Sequence, residues 1–396
     1  MNNRLLISSI DYSLFYAIFL LYSCGFLLNE IFKHYSLPPV FTVLRIFLII
    51  VLFFRIISLK MAVNQNTRFL ILLVCCLSIY YLTICVPNGD FLIGLKSLRI
   101  YVEPLMFALM VYIYRHNDMP MKYLQQIYIK SVLITALISI VFYIIYWTGH
   151  INYFISEVPL TSFLSGGIIF RSYLPIGCPN QLGLFLLSGI VLAYLSEIKK
   201  KKCVLIFLTI SLILTISKSA ILAALFYFGL LYCGKFRNIR KLIVFWVLLF
   251  FCYFIIELYF PDTPFYIYIT NLFSGNDPSS NGHIASLQDA IEAFPEYYLF
   301  GYPTGTVGAR VETIYNVESS FFILMYDKGI LFFLIYMFIM FMLFADSLKV
   351  KPIRIYIYAI MLALSVLPTI QSLECFALIL VSPLLLSRIK IVSCNI

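Results

Sequence analysis

The feature that most constrains the fold is a succession of apolar runs, each about as long as a bilayer is thick. At about 20 residues per transmembrane helix, the chain contains twelve such runs, near residues 12–29, 39–58, 69–86, 92–114, 125–147, 180–196, 203–217, 219–233, 241–258, 319–344, 355–371 and 373–387. Within lipid, only helices and closed barrels satisfy the backbone hydrogen-bonding groups, and these runs lack the alternating pattern of barrel strands. The sequence therefore predicts an all-α, polytopic integral membrane protein with about twelve transmembrane helices.

The composition supports this class of protein and argues against two others. Of the 396 residues, 62% are hydrophobic and 12% are charged, whereas a soluble domain is about half apolar and about a quarter charged. The net charge of +10 is carried by short loops between the apolar runs, which is the positive-inside pattern rather than a nucleic-acid-binding patch. No small-residue cleavage site follows the first run, so we expect a retained span and not a signal peptide.

The lysines and arginines of the loops predict the orientation in the membrane. One alternate set of loops, together with both ends of the sequence, holds eighteen of these residues, while the other set holds three, Lys33, Arg171 and Arg310. Because cytoplasmic loops carry the basic excess, we expect both termini on the cytoplasmic side. The stretch 203–233 lies between two basic loops and has its natural break at Ser217 to Ser219, so that a full hairpin and a re-entrant pair both fit.

This orientation places two longer segments on the outer side of a single membrane domain that spans residues 1–396. Residues 259–318, between predicted helices 9 and 10, are rich in Asn, Asp, Ser, Gly and Pro and form a long outer loop; residues 148–179 form a shorter, interfacial one. Within the long loop, SLQDAIEAF has helical spacing. Chemistry on water-soluble groups is therefore expected at the long loop or beside it.

Several cations lie inside the apolar runs or near their outer ends. An ionisable group deep in a bilayer costs at least about 2.5–3.5 kcal/mol on insertion scales, so it needs a partner, a water-filled cavity or access to the interface. Ion pairs of Arg99 with Glu103 and of Lys328 with Asp327 offer a purely structural explanation for two of them. As a group, however, the outer cations face few acids and favour a polyanionic ligand such as a lipid pyrophosphate. They are Arg45, Lys96, Arg99, Arg171, Lys218 and Arg310.

The sequence lacks the motifs of metal, nucleotide and serine-hydrolase chemistry. It contains no HExxH or CxxC pattern and no DxD pattern in an outer loop, and its four histidines are scattered. Neither a P-loop nor a GxSxG elbow occurs. We therefore expect no metal site, no cofactor and no ATP hydrolysis.

Four segments resemble, in the same order, segments of the bacterial O-antigen polymerases and ligases. RSYLPIGCPNQLGLFLL resembles the Arg, Gly, Pro-Asn and Gly arrangement that precedes a membrane span in these proteins, and LTISKSAILAAL resembles their T-x-S-R-x-A segment with Lys218 in place of Arg. DAIEAFPEYYLFGYPTG resembles part of their long loop, and VESSFFILMYDKGILFF resembles the span that closes it. Together the segments cover roughly residues 165–335.

The resemblance implies a twelve-span, GT-C-like architecture in the bacterial inner membrane and a metal-independent glycosyltransferase activity at its periplasmic face. Such enzymes join undecaprenyl-pyrophosphate-linked oligosaccharides without a nucleotide sugar, so that donor and acceptor are both lipid-linked. The protein partners that the resemblance implies are a chain-length regulator and a flippase. Membrane lipid is the expected surrounding, and no nucleic acid is expected.

One position distinguishes the branches of this superfamily. In the ligase branch the long loop ends in His-Asn or a similar pair, followed after nine residues by Gly-x-x-Gly. Here the same register reads Glu318-Ser319, then nine residues, then Gly329-Ile330-Leu331-Phe332. Glu-Ser in place of the ligase His resembles the Wzy-type polymerases, so the predicted function is O-antigen polymerase in lipopolysaccharide biosynthesis.

The resemblance and the charge pattern together predict the site residues. Glu318 is the predicted general base. The residues predicted to bind pyrophosphate or sugar are Arg171, Lys218 and Arg310, followed by Arg99, Arg45 and His283, the last at a position where many relatives carry Arg. Two other interpretations stay open: a ligase that transfers polymer to lipid A core, and a flippase for lipid-linked oligosaccharides. The long outer loop and the outward bias of the cations favour an enzyme over a flippase.

Overall fold

In a computed structural model, the chain forms a helical bundle. The structure describes residues 9–59, 61, 63–85, 91–117, 121–155, 158, 163–164, 169–232, 270, 285, 288, 291–292, 299–301, 319–367 and 369–386. Within these residues the helices are α1 (Ser9–His34), α2 (Val40–Ser58), α3 (Gln65–Tyr80), α4 (Phe91–His116), α5 (Met121–Trp147), α6 (Pro179–Leu195), α7 (Lys201–Leu214), α8 (Lys218–Tyr232), α9 (Ser320–Leu348), α10 (Lys351–Val366) and α11 (Leu373–Leu386).

Shorter elements complete the described part of the chain. A π-helical segment (Tyr81–Cys85) continues α3, and single 3-10 turns occur at Ile151–Tyr153 and Thr369–Gln371. Two strands of two residues each, β1 (Phe163–Leu164) and β2 (Ile169–Phe170), pair in antiparallel fashion. They lie in the segment that the sequence assigns to the shorter outer loop.

Local sequence signals set where several helices begin. The side chain of Asn64 accepts a hydrogen bond from the Thr67 backbone N–H at the start of α3, and Ser319 does the same for Phe322 at the start of α9. Such caps satisfy backbone donors that have no partner within the helix. Pro179 stands in the first turn of α6, where a missing N–H costs nothing.

The prediction of a helical, polytopic membrane protein is confirmed. Six described helices are long and apolar enough to cross a membrane, namely Ser9–His34, Val40–Ser58, Gln65–Thr83, Ser97–His116, Met121–Trp147 and Ser320–Leu348. The helices at Pro179–Leu195, Lys218–Tyr232 and Leu373–Leu386 are apolar but shorter. The predicted break near Ser217 is also observed, since α7 ends at Leu214 and α8 begins at Lys218. The total of twelve stays a prediction, and the predicted span 241–258 lies outside the described residues.

Helix α11 forms the centre of the bundle. It packs against α1, α4, α5, α6, α9 and α10, and every one of its residues is buried. Helix α2 lies at the periphery, where Phe47 and Phe54 are exposed, as expected of side chains that face lipid. Hydroxyl pairs such as Tyr128 with Ser188 join neighbouring helices inside the bundle, which is a common form of contact where the surrounding solvent is apolar.

Three helices begin at the same end of the bundle. The backbone N–H of Ser320, the first residue of α9, donates to Leu367 O at 2.9 Å, and Ile370 N–H donates to Ser320 Oγ at 3.1 Å. The thiol of Cys375, in the first turn of α11, donates to the carbonyl oxygen of Gln181 in α6 at 3.1 Å. The starts of α6, α9 and α11 are therefore neighbours, and this end is the one that the loop charges predict to be periplasmic.

Candidate functional site

The segment between β2 and α6 lies against the turn that joins α7 to α8. The backbone N–H of Ser172 donates to Leu214 O at 3.0 Å. The hydroxyl groups of Ser172 and Ser139, in α5, are 2.6 Å apart. Two segments that resemble superfamily motifs, 171–187 and 214–225, are thus held together, although more than forty residues separate Arg171 from Thr215.

Arg171 is the centre of this contact. Its side chain is 8% exposed, with Nε donating to Thr215 O at 3.1 Å and Nη2 donating to Asn180 Oδ1 at 2.7 Å. Ser217 Oγ donates to the same oxygen of Asn180 at 3.0 Å. We call these four residues the Arg171 junction. Neither of these two acceptors carries a formal charge, and together they fix the orientation of the guanidinium.

The local sequence explains why the α7–α8 turn can receive Arg171. Ile216 has a φ of +46°, so the chain reverses within three residues. Thr215 Oγ1 donates back to Leu212 O at 2.7 Å, and Ser217 Oγ accepts from the backbone N–H of Ala220 at 3.3 Å, which caps the start of α8. At this reversal the carbonyl oxygen of Thr215 accepts the hydrogen bond from Arg171.

A glycine allows α6 to approach the turn closely. A Cβ atom on Gly183 would lie 2.7 Å from Ala220 Cβ, a distance that real Cβ atoms do not reach, and 3.0 Å from Ser217 Cβ, which is a very tight contact. The lack of a side chain at position 183 therefore lets Asn180, one turn earlier in α6, reach both Arg171 and Ser217. Lys218 follows Ser217 directly as the first residue of α8, so its backbone also belongs to this region.

Tyr173 adds a neutral phenol to the same segment. Its side chain is almost fully buried. Burial raises the pKa of the Tyr173 phenol above its usual value, and the negative charge of Glu30 raises it further. The group therefore stays protonated across the physiological range and is available as a hydrogen-bond donor rather than as a base.

The cations Arg45 and Arg99 lie in a separate ionic network. Arg45 is 1% exposed, and it donates from Nε to Glu103 Oε1 at 2.9 Å and from Nη1 to Glu374 Oε1 at 2.8 Å. Arg99 Nε lies 3.1 Å from Glu103 Oε2, and Tyr22 donates its hydroxyl to Glu103 Oε1 at 3.0 Å. The network thus contains two positive and two negative charges. The binding of pyrophosphate by Arg45 and Arg99 stays a prediction.

An apolar groove adjoins this network. It lies between α2 and α4, has a volume of about 360 Å³ and is lined almost wholly by aliphatic, aromatic and methionine side chains, with Arg99 and Glu103 as its polar members. The groove places a hydrocarbon-lined surface beside an ion pair. This is a suitable surrounding for a lipid chain with a polar head.

Three predicted site residues, Glu318, Arg310 and His283, lie outside the described residues. Glu318 directly precedes Ser319, the N-cap of α9. The predicted helix of the long loop is helical at each position that the structure describes there, 285, 288, 291 and 292. Among the described residues, no group of three or more His, Cys, Asp or Glu side chains has an arrangement that could hold a metal ion.

Sequence reasoning missed Glu374 and the partners of Lys328. Glu374 opens the central helix α11 and bonds an arginine 329 positions earlier in the chain, a separation at which no local pattern gives a signal. The sequence predicts an ion pair of Lys328 with Asp327 because the two residues are adjacent, and this pair is present at 2.7 Å. The tyrosines beside Lys328 are Tyr81, in the π-helical segment that continues α3, and Tyr101, in α4. Sequence spacing gives no signal for either contact.

The comparison with known families bears on these same segments. Residues 203–324 match the family model described as O-antigen ligase, while no curated protein matches the chain. The matched segment includes α7, the Thr215 to Lys218 turn and the positions of His283, Arg310 and Glu318. It indicates a ligase-type or polymerase-type glycan transfer at a multi-pass membrane protein. Residues 203–324 of the chain are therefore similar to the O-antigen ligase family.

Proposed function

We propose that this chain is an O-antigen polymerase of the bacterial inner membrane. It transfers a glycan from one undecaprenyl pyrophosphate carrier to a sugar hydroxyl of another lipid-linked repeat unit at the periplasmic face. The observation that carries the choice of polymerase is Glu318-Ser319, which stands directly before α9, where the ligase branch has a histidine. A carboxylate at this point can act as the general base in place of the ligase histidine.

The reaction exchanges one bond at the anomeric carbon. The acceptor hydroxyl oxygen forms a bond to the anomeric carbon, and the bond from that carbon to the pyrophosphate oxygen breaks. The hydroxyl proton passes to Glu318, and the bonding electron pair leaves with undecaprenyl pyrophosphate. The leaving group is already a good one, so the protein mainly has to hold the pyrophosphate and accept the proton.

The Arg171 junction supplies what the pyrophosphate requires. Arg171 is largely buried and held in place by Thr215 O and Asn180 Oδ1, so little reorganisation is needed when negative charge develops on the leaving group. A preorganised donor of this kind contributes roughly 10²–10³ in rate. Lys218 stands next to the junction in sequence, and Arg310 is a further ligand from the long loop in this proposal.

A second candidate function, O-antigen ligase, is favoured by one observation. The family model that matches residues 203–324 carries the description of a ligase. In that case the donor is the same, but the acceptor is lipid A core instead of a second lipid-linked repeat unit. The two functions differ in the acceptor, and they leave different products when the gene is removed.

A polysaccharide gel of a strain that lacks this gene tests the proposal. Loss of a polymerase leaves lipopolysaccharide capped with a single repeat unit, loss of a ligase leaves bare core, and loss of a flippase leaves little or no surface antigen. We expect the single-repeat band, with a full ladder restored by the wild-type gene. A normal long-chain ladder in the deletion strain, or bare core, would exclude the polymerase.

Single substitutions then test the proposed roles. Complementation with Glu318→Gln or Arg171→Ala is expected to leave the single-repeat band, because the first removes the base and the second removes the oriented cation. The matched controls are Glu292→Gln, an exposed acid of the loop helix, and Lys349→Ala, an exposed cation at the opposite end of α9. A full ladder from either site variant, at wild-type protein level, removes that residue from the mechanism.

A further inference from the structure

Helix α9 is broken inside the membrane region. Gly329 has a φ of +80° and a ψ of 166°, which are not helical values, so α9 consists of a short piece, 320–328, and a long piece, 330–348. A break leaves backbone donors and acceptors without partners in the helix, and such groups are costly in lipid. A break of this kind therefore calls for a specific cause.

Residues 299–301, which the sequence assigns to the long outer loop, lie in the break. A Cβ atom on Gly329 would be 2.1 Å from Leu299 O and 2.7 Å from Phe300 N. A Cβ atom on Gly301 would be 2.6 Å from Lys328 N and 2.7 Å from Gly329 N. The two backbones thus touch at a pair of glycines, which we call the glycine contact.

Only glycine fits at both positions of this contact. Gly301 has a φ of +76° and Gly329 a φ of +80°. Residues with a Cβ atom rarely adopt these backbone angles. The atoms that a Cβ would meet belong to the backbone, so no side-chain rotation can make room. In addition, the Tyr80 hydroxyl, at the end of α3, donates to Leu299 O at 3.4 Å.

A buried ion pair stands at the same break. Asp327 and Lys328 are 2% and 0% exposed, with Lys328 Nζ 2.7 Å from Asp327 Oδ1. Lys328 also donates to the Tyr81 hydroxyl at 3.1 Å, and the Tyr101 hydroxyl donates to Asp327 Oδ2 at 2.6 Å. The pair therefore ties the break to the extension of α3 and to α4.

The short helical piece 320–328 is held at both of its ends. At its start, Ser320 bonds to Leu367 and Ile370, and at its end stand the glycine contact and the ion pair. Glu318 precedes this piece by two residues. Any shift of the break would change the direction of the piece and so displace its first residue, Ser320.

We propose that Gly301, Gly329, Asp327 and Lys328 are positioning residues that dock residues 299–301 of the long outer loop into the broken helix α9. They hold residues 299–301 and the short piece 320–328 in one fixed relation, and thereby place Glu318 for the reaction. The catalytic part of this inference rests on the proposed function. The docking part does not, because it depends only on the contacts within the chain.

Alanine at either glycine tests the contact. Gly329→Ala and Gly301→Ala are expected to lower the rate of chain growth by about 10²-fold, as a displacement near 1 Å does at an active site. The matched controls are Gly25→Ala and Gly229→Ala, because a Cβ on either glycine would meet no atom within 4 Å. Full chain growth in both contact variants would overturn the proposal.

A double substitution separates positioning from stability. Asp327→Asn and Lys328→Met, made singly, each remove one charge of the buried pair and should lower the thermal midpoint in detergent. The double variant removes both charges and should recover the midpoint, since neutral replacements of buried ion pairs are often tolerated. We expect the double variant to remain about 10²-fold slower in chain growth. Recovery of both properties would show that the pair has only a structural role and would overturn its place in the proposal.

A cross-link measures docking without any enzyme assay. Tyr80→p-benzoylphenylalanine places a photoreactive group next to Leu299, and irradiation of the full chain in membranes should join position 80 to residues 299–301, as seen by mass spectrometry. Gly329→Ala should abolish this product, and Gly229→Ala should not. An unchanged yield in Gly329→Ala would overturn the docking itself. If the Tyr80→p-benzoylphenylalanine chain cross-links while the wild-type chain makes no polymer, the proposed function fails and the docking stands.

Discussion

Two buried arginines at the same end of the bundle differ in what surrounds them. Arg45 is bonded to two carboxylates, Glu103 and Glu374, whereas the bonds from Arg171 to Thr215 and Asn180 go to a carbonyl and an amide oxygen. A carboxylate brings a full negative charge to a guanidinium, whereas a carbonyl or amide oxygen brings a partial charge and orients it. The same residue type therefore serves the stability of the helix network in one place and a proposed anion site in the other.

The largest expected effect is the loss of stability on replacing Arg45. Arg45→Met removes the guanidinium that binds both Glu103 and Glu374, and only Glu103 keeps a second arginine, Arg99, among the ion pairs described above. Breaking a buried pair in this way costs about 3–5 kcal/mol. The measurement is the thermal midpoint of the detergent-purified protein, together with its amount in membranes.

The control for this prediction removes the carboxylate charges as well. In Arg45→Met combined with Glu103→Gln and Glu374→Gln, no uncompensated buried charge remains, so most of the lost stability should return. If Arg45→Met alone is as stable as the wild type, the network does not have the structural role that its geometry indicates.

The next largest effect is expected on activity, at Arg171. Arg171→Lys keeps the positive charge but loses the planar fork that bonds Thr215 O and Asn180 Oδ1 together. We expect chain growth to fall roughly 10²–10³-fold, as when one preorganised donor is lost. The expected stability loss is about 1.5–3 kcal/mol for each hydrogen bond of the charged side chain that Lys does not replace. A quantified ladder, normalised to protein level, provides the measurement.

The opposite outcome would reverse the comparison of the two arginines. If Arg171→Lys is unstable but fully active, then Arg171 serves the packing of the α7–α8 turn. The matched control is Ser217→Ala, which removes one bond to Asn180 and leaves the arginine in place, so that its effect on chain growth should be much smaller.

Whether the sequence could predict a contact in this arrangement depends on how far apart in sequence its two residues are. The apolar runs predicted the helices because lipid leaves the backbone no other structure, and the i, i+4 spacing predicted the pair of Arg99 with Glu103, which is present. The bond from Arg45 to Glu374 and the contact of Gly301 with Gly329 could not be predicted. Both join segments that only the packing of the whole bundle brings together.

The smallest effect is expected at Arg99, which shares Glu103 with Arg45. Its side chain is 35% exposed, and Glu103 keeps its bonds from Arg45 and Tyr22 when Arg99 is replaced. Partly exposed ion pairs contribute about 0–1 kcal/mol, so Arg99→Gln should change the thermal midpoint little, in contrast to Arg45→Met. A destabilisation as large as that of Arg45→Met would show that the four charges act as one unit. Near-normal stability with greatly reduced chain growth would instead support the predicted contact of Arg99 with the pyrophosphate, since the guanidinium would then be needed by the substrate and not by the fold.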